Sequence, residues 1–519
     1  MPRNRGLHLV VLNKRSMNES TAQRFPAFDS SASPGRAKPR PVFDRPRLTG
    51  LRRRWPLVLG LVGMLPAAAQ RQPDSAGGQP LLLSQAVRTG LNNYQGIRAK
   101  QNYLVASTAL VQNAKNEYLP NVLASLQQDY GTINGQYGPS SPYGAPGVSS
   151  SGPIAASQNW NAAFGGLYLI NTNWEFFTFG RVHARIQLAQ AQVRKDSADL
   201  LQEQFVHGVR ISAAYLNLLV AQRLVQNAQA NLDRTQYVQR VVTTRTRTGL
   251  NAGVDSSIAN AEVSAAKLQM IQNIDYAQQL SNQLTQLLNV APAGFLLDTV
   301  FLSKVPDTLN TSFPVEQNPQ VKFYQSRIDQ STSTADYIRK SIRPGLNLFG
   351  IYQGRGSGFD YNYSPVTGDN YTKDYFNGIN PVRSNYAFGI SLAWNLLSPV
   401  KVKHQVRAQQ FITEAYRNEY DLVATQLKDQ LALSDQRIAN SLQSVQEVPL
   451  QYKAASDAYN QKSVLYKNGL ANIVDVQQAL YALNKAETDR SVAYINVWQA
   501  LLLKAAASGD FDLFLKQVR

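Results

Sequence analysis

The chain has 519 residues, 44% of them hydrophobic and 17% charged, with a mean hydropathy of −0.29 and a formal charge of +18. It is long enough for a large buried core, and its complete lack of cysteine excludes disulfides, Cys-ligated metal and a lipidated N-terminal cysteine. Residues 1–54 hold 13 Lys or Arg against 3 Asp or Glu, more than half of the basic excess, so the high charge says little about the main body and nucleic-acid binding is not its first explanation.

Residues 1–50 are rich in Arg, Pro and Ser and lack apolar periodicity, which predicts a disordered arm or an over-called N-terminal extension. Arg52-Arg53-Arg54, an apolar run over residues 55–66 and Ala67-Ala68-Ala69-Gln70 have the charged head, short apolar core and Ala-x-Ala site of a signal peptide, placed at 51–69. The run is too short to span a bilayer. A helix is predicted over residues 83–118, stopped by Leu119-Pro120. A short strand follows, with Val122, Ala124 and Leu126 on one face and Ser125 and Gln127 on the other. Residues 131–157, rich in Gly, Ser, Pro and Tyr, read as a loop, and a second strand returns over about 164–174.

Residues 181–248 contain no proline and at about 1.5 Å per residue would extend roughly 100 Å. Val209, Ala213, Leu216, Val220, Leu224, Ala228 and Leu232 recur every three or four positions, which predicts one apolar stripe on a polar cylinder. A glycine turn and a shorter helix to 288 come next. That helix and the one before Pro120 together match the long helix, so the two are expected to stack end to end alongside it in an antiparallel coiled-coil layout. Residues 291–317 read as a linker or small packing segment.

The same order then recurs. A helix is predicted over 319–342, ended by Pro344, then a strand through Leu346, Leu348 and Tyr352, a loop over 353–385 and a returning strand. In that strand Tyr386, Phe388, Ile390, Leu392 and Trp394 alternate with Ala387, Gly389, Ser391 and Ala393, a pattern that fits a transmembrane β-strand with lipid on the large-residue face and a terminal interfacial Trp. Residues 401–468 form a second long helix with Pro449 inside it, a final helix ends near 507, and 508–519 is a short mixed tail. The turns read Gly249-Leu250-Asn251-Ala252-Gly253-Val254-Asp255 and Gly469-Leu470-Ala471-Asn472-Ile473-Val474-Asp475, and each turn glycine follows its strand-ending tryptophan, Trp174 or Trp394, by 75 residues. Matched spacing over such a span implies an internal twofold repeat, 70–290 and 318–507.

This order, with Trp174-Glu175-Phe176-Phe177, Gly180-Arg181, Trp394-Asn395-Leu396-Leu397 and the two Gly-Leu turns with Asp255 and Asp475, resembles the TolC-like outer-membrane efflux channels over roughly residues 82–507. The resemblance implies a mixed α/β membrane protein: a homotrimer whose protomers each give four strands to one twelve-stranded β-barrel in outer-membrane lipid, continued by a long antiparallel α-helical periplasmic tunnel. Four strands cannot close a useful barrel and open edges are not tolerated in lipid, so three copies answer both problems. The implied role is the exit duct of a tripartite efflux or type I secretion system, working with a periplasmic adaptor and an inner-membrane pump or ABC transporter. Asp255 and Asp475 match the family's tip aspartates and would draw cations to the closed mouth; each could instead cap the helix that follows. A second acid found one turn later in some relatives is missing, since Ile258 and Gln478 stand there. Thr248, Gly249, Leu250, Asn468, Gly469 and Leu470 match the adaptor-contact turns, and Trp174 and Trp394 the interfacial tryptophans.

No catalytic constellation or cofactor motif is present. His8, His183, His207 and His404 lack metal-ligand spacing and read as surface or packing residues, and Gly354-Arg355-Gly356-Ser357-Gly358 matches neither a phosphate loop nor a nucleophile elbow. The sequence thus argues against an enzyme. A non-pore periplasmic coiled-coil scaffold or adaptor is the alternative, but such proteins lack two lipid-patterned hairpins.

Overall fold

The computed structural model describes residues 80–134, 139–140, 149–150, 157–292, 294–306, 314–363 and 369–517. The predicted arm, the signal peptide and His8 lie outside them. Helices α1 (Leu83–Asn93) and α2 (Gln95–Asn116) lead into strand β1 (Asn121–Thr132), a two-residue ladder of β2 (Pro139–Ser140) and β3 (Ser149–Ser150), and strand β4 (Ala162–Phe177). The long α3 (Arg181–Arg247) and α4 (Gly253–Leu288) follow. The second half has α5 (Pro319–Lys340), β5 (Gly345–Ser357), α6 (Tyr375–Ile379), β6 (Arg383–Ala393), α7 (Ser398–Lys467), α8 (Ile473–Ser508) and α9 (Phe511–Lys516). Among the described residues no helix is long and apolar enough to cross a membrane.

The expected end-to-end stacking is present in the contacts. Lys100 Nζ meets Asp199 Oδ2 at 2.6 Å and Arg185 meets Glu117 at 3.3 Å, which sets α2 against the first part of α3. The end of α4 reaches the middle of α3, where the Leu287 carbonyl bonds His207 at 3.0 Å. In the second half α5 packs on the first part of α7 through Arg327–Glu419 and Ser331–Thr413, while Lys504 of α8 meets Asp435 of α7 at 2.8 Å. Asn318 makes the join. Its Oδ1 accepts from the Gln320 amide to cap α5, and its Nδ2 donates to the Ala506 and Ala507 carbonyls that end α8.

Two expectations need correction. The predicted helix over 83–118 is two helices, because Tyr94 is extended (φ −67°, ψ 121°) and its ring stacks on His207 at 3.9 Å. Gly96 permits this, since a Cβ there would lie 2.4 Å from the Tyr94 ring, and Asn289 satisfies the freed Asn93 carbonyl at 3.2 Å. His207 is accordingly a fully buried packing residue, held below its usual pKa chiefly by that burial, while His183 and His404 are exposed.

Secondly, α3 is not a one-stripe helix at its centre. Ile211, Ala214, Tyr215, Leu216, Leu218 and Leu219 point in several directions and are all buried, because α1, α4, α8 and α9 surround that stretch. The Tyr215 hydroxyl donates to the Leu81 carbonyl at 2.6 Å and accepts from the Asp298 amide at 2.9 Å; burial pushes its pKa up to about 12. The short tail packs into this core as well. Leu513 and Phe514 of α9 are buried beside Trp498, which also packs on Phe301 of the linker at 5.0 Å and donates to the Lys304 carbonyl at 3.0 Å. Trp498→Ala should therefore lower unfolding stability by about 3–5 kcal/mol, measured by denaturant unfolding; a loss well under 1 kcal/mol would mean that this core carries little of the fold.

Strands β1, β4, β5 and β6 form one antiparallel sheet in that order. Strand β5 runs to Ser357, so the expected loop from 353 is shorter, and it contains α6. The edges, β1 and β6, are almost wholly exposed.

Candidate functional sites at the sheet and the helix tips

Register assigns every strand residue to a face. Leu346, Leu348, Gly350 and Tyr352 pair with Leu392, Ile390, Phe388 and Tyr386, and β4 brings Ile170, Thr172 and Trp174 onto the same face. Val122, Ala124 and Leu126 of β1 complete it through Thr172, Ile170 and Tyr168. This face carries no charged side chain and is mostly apolar, with Gln128, Thr132, Thr172 and Ser384 as its polar members, and Phe388 is 80% exposed.

The other face takes Asn121, Ser125, Gln127, Asn171, Asn173, Asn347 and Gln353, interleaved with Leu123, Leu167, Leu169, Phe349 and Ile351. The four charged residues of the main strands, Asp129, Glu175, Arg355 and Arg383, also lie there: Asp129 pairs with Gly165, Arg355 with Arg383, and a Cβ on Gly345 would meet the Glu175 carboxylate. Strand alternation makes that segregation a property of register, and a slip of one residue would reverse it. Glycine at 389 has a local reason, since a Cβ there would sit 2.8 Å from the Phe349 ring. The tryptophans occupy matching places. Trp174 Nε1 donates to the Tyr118 carbonyl at 2.7 Å and Trp394 Nε1 to the Ile342 carbonyl at 3.0 Å, each acceptor two residues before the proline that opens a strand.

At the opposite ends of the long helices the two glycine turns have one geometry. Gly249 (φ 75°) and Gly469 (φ 78°) are left-handed; Leu250 N bonds Arg245 O and Leu470 N bonds Leu465 O, both at 2.9 Å. These are Schellman caps, so the glycines are required by the turn itself. The leucines that follow are 69% and 74% exposed, and Thr248 and Asn468 are exposed beside them.

The two turns meet within the chain over a small core that includes Val242, Tyr459, Tyr466, Ile473 and Val476. Arg245 donates from Nε to Asn251 Oδ1 at 2.9 Å and from Nη1 across to the Lys467 carbonyl at 2.8 Å, with its guanidinium 5.5 Å from the Tyr466 ring centre. Asn251 Nδ2 then donates to Asp255 Oδ2 at 2.8 Å and to the Tyr466 hydroxyl at 3.0 Å. Burial, then the nearby Asp255 charge, raises the Tyr466 pKa. Asp475 faces Lys462 at 3.5 Å. Neither aspartate caps its helix: Asn472 caps α8 by accepting from the Asp475 amide at 2.8 Å, and α4 has no side-chain cap. Both still lie in a first helical turn, where a carboxylate is favoured.

Sequence reasoning missed Arg245, Asn251 and Tyr466. A signal for them exists in the places where the matched turns differ, because Arg245, Asn251 and Tyr466 stand opposite Leu465, Ala471 and Thr246 of the other copy. Above the tips, α3, α4 and α8 enclose a cavity of about 250 Å³ lined by Thr235, Glu262, Leu480 and Tyr481 among others. Among the described residues no group of three His, Asp or Glu could hold a metal ion.

Residues 86–290 match the family model described as outer membrane efflux protein. No curated protein matches the sequence. Among solved structures, the chain is similar to the Campylobacter jejuni CmeC outer membrane channel (TM-score 0.67, 11% identity, 82% of this chain and 85% of that one) and to the outer membrane protein VceC from Vibrio cholerae (0.64, 14%, 82% and 96%). It is also similar to the open state of the Neisseria gonorrhoeae MtrE outer membrane channel (0.63, 15%, 82% and 88%). The recognition made from the sequence is borne out: the family pattern is present over residues 86–290, and the mostly helical chain with its four-stranded sheet has the fold of these channels over four fifths of its length.

Proposed function

We propose, on the premise of that family pattern and channel fold, that the chain is a passive outer-membrane exit duct assembled from three copies. The observation that carries this reading is the sheet: among the described residues both edges are unpaired, one face is mostly apolar and uncharged, and all four charged side chains are on the other. Because the four strands alternate in direction, β1 of a neighbouring copy can pair antiparallel with β6, so rotation about a threefold axis closes twelve strands without an edge. The apolar face, including Tyr386, Phe388, Ile390, Leu392 and Trp394, then meets lipid, and the Asn-rich charged face lines water. Helices α3, α4, α7 and α8, with α2 and α5 stacked on them, form the walls of a tunnel in the periplasm, and the equal lengths of α4 and α8, 36 residues each, support a duplicated architecture. Light scattering of the detergent-purified protein should give the mass of three chains; a monomer would overturn the closure argument.

The glycine turns form the tunnel's periplasmic tip. Threefold symmetry brings Asp255 and Asp475 of three copies near one axis, where six carboxylates favour cations. Asp255→Asn with Asp475→Asn is expected to reduce cation preference, read as a shifted reversal potential in a salt gradient; an unchanged potential would remove these carboxylates from the constriction. Leu250 and Leu470, apolar and exposed beside Thr248 and Asn468, present the surface for a periplasmic adaptor that links the duct to an inner-membrane pump or ABC transporter.

A further inference from the structure

The connection between β5 and β6 does not simply cross the end of the sheet. Its helix α6 folds back onto the strands. The Tyr168 hydroxyl donates to the Ile379 carbonyl at 2.9 Å, and the Tyr375 hydroxyl to Gln128 Oε1 at 2.8 Å. The Tyr375 ring meets Phe164 edge-on at 5.2 Å, and Phe164 meets Tyr130 at 4.7 Å.

Three glycines make room for this docking. A Cβ at Gly166 would lie 2.7 Å from the Ile379 carbonyl oxygen, one at Gly356 would lie 2.5 Å from that of Asn380, and one at Gly378 would lie 2.5 Å from Phe164 Cβ. Gly166 pairs with Gly356, and Tyr168 pairs with Gly354. These positions share a face with Ile170, Thr172, Trp174, Tyr352 and Phe388, so α6 sits on the apolar face and not on the charged one.

Height fixes what α6 would meet. From Trp174 to Phe164 the strand climbs roughly 34 Å along its axis, or about 26 Å at an ordinary barrel tilt, against an apolar band about 25 Å tall. With the tryptophans at the inner interface, α6 therefore lies at the outer one. There it presents Phe376, 74% exposed, and Tyr375 alongside Tyr130 and Phe164. Aromatic side chains with one apolar and one wet side suit that depth.

We propose that α6 is a membrane-interface anchor: it lies outside the barrel wall at the outer rim and inserts Phe376 among lipid acyl chains, with Tyr375 at headgroup level. The proposal rests on the reading of the sheet as a lipid-embedded barrel wall. Its consequence is that this part of the loop holds the rim in the bilayer and does not cover the mouth of the pore.

The cysteine-free chain makes the test simple, because any introduced thiol is the sole label site. Single variants F376C, I390C and Y361C of the full chain are labelled with a small fluorophore and reconstituted into phosphatidylcholine vesicles with or without brominated acyl chains. Brominated lipid should quench the 376 label as strongly as the 390 label, while the label at 361, four residues past the outer end of β5, keeps its fluorescence. Adding Gly378→Ala to F376C should lift α6 and remove the quenching at 376, with the 390 control retained in the same Gly378→Ala background. Quenching at 390 but not at 376 overturns the anchor alone. Absence of quenching at both overturns the barrel-wall reading and the anchor with it.

Discussion

Phe388→Arg is expected to abolish assembly in the outer membrane, whereas Ala387→Arg, one residue away, is expected to assemble normally. Phe388 pairs with Gly350 on the apolar face, and Ala387 pairs with Ile351 on the face that carries Asp129, Arg355 and Arg383. Phe388 lies six residues from Trp394 along its own strand, roughly 15 Å in height at an ordinary barrel tilt, so its replacement puts a guanidinium near the middle of the hydrocarbon. A cation there costs about 2–4 kcal/mol per copy, and each barrel would carry three. That is comparable with the whole stability of many folded domains. The arginine at 387 would enter water instead, where it should move the channel's ion preference toward anions. Heat-resistant oligomer in outer-membrane fractions is the readout. Normal oligomer from Phe388→Arg, or its loss from Ala387→Arg alone, would reverse the face assignment.

The second large effect is expected at the other end of the molecule. Arg245→Ala should make cells that produce the protein sensitive to a large hydrophilic antibiotic that the outer membrane normally excludes. Arg245 holds the α3–α4 tip to the α7–α8 tip through the Lys467 carbonyl and the Tyr466 ring, and it positions Asn251 against Asp255. The bonds are partly exposed, so their loss is placed at about 1–2 kcal/mol per protomer. A closed-to-open ratio would then fall by roughly tenfold for each subunit. Tyr466→Phe removes only the Asn251 bond to the hydroxyl and should give a smaller effect. Unchanged sensitivity at normal protein levels would show that the contact between the tips does not restrain opening.

The parts of the fold that could be read from the sequence are those set by local repetition. A proline-free stretch of 68 residues reads as α3, and the clean two-residue alternation over 386–394 reads as β6, because each pattern contains its own reason. What could not be read depends on a distant partner. The break at Tyr94 needs His207, which lies 113 positions away, and the docking of α6 needs empty space at Gly166 and Gly356 in two other strands. The buried centre of α3 escaped a stripe analysis because a stripe presumes one neighbouring surface, while this stretch has helices all around it.

The tip illustrates the same division. The Gly-Leu turns were legible, since a left-handed residue after a long helix calls for glycine, and their matched spacing marked them as a pair. The bonds that join them were not, because Arg245, Asn251 and Tyr466 act only once the two turns are side by side. Repetition in the sequence located the turns; departures from repetition mark what connects them.

Single-channel recording of the purified protein in a planar bilayer, beside Arg245→Ala, tests the central claim most directly. The duct account predicts discrete openings of uniform size, larger or longer-lived in the variant. Membrane-inserted protein that leaves the bilayer electrically sealed in both forms would contradict it.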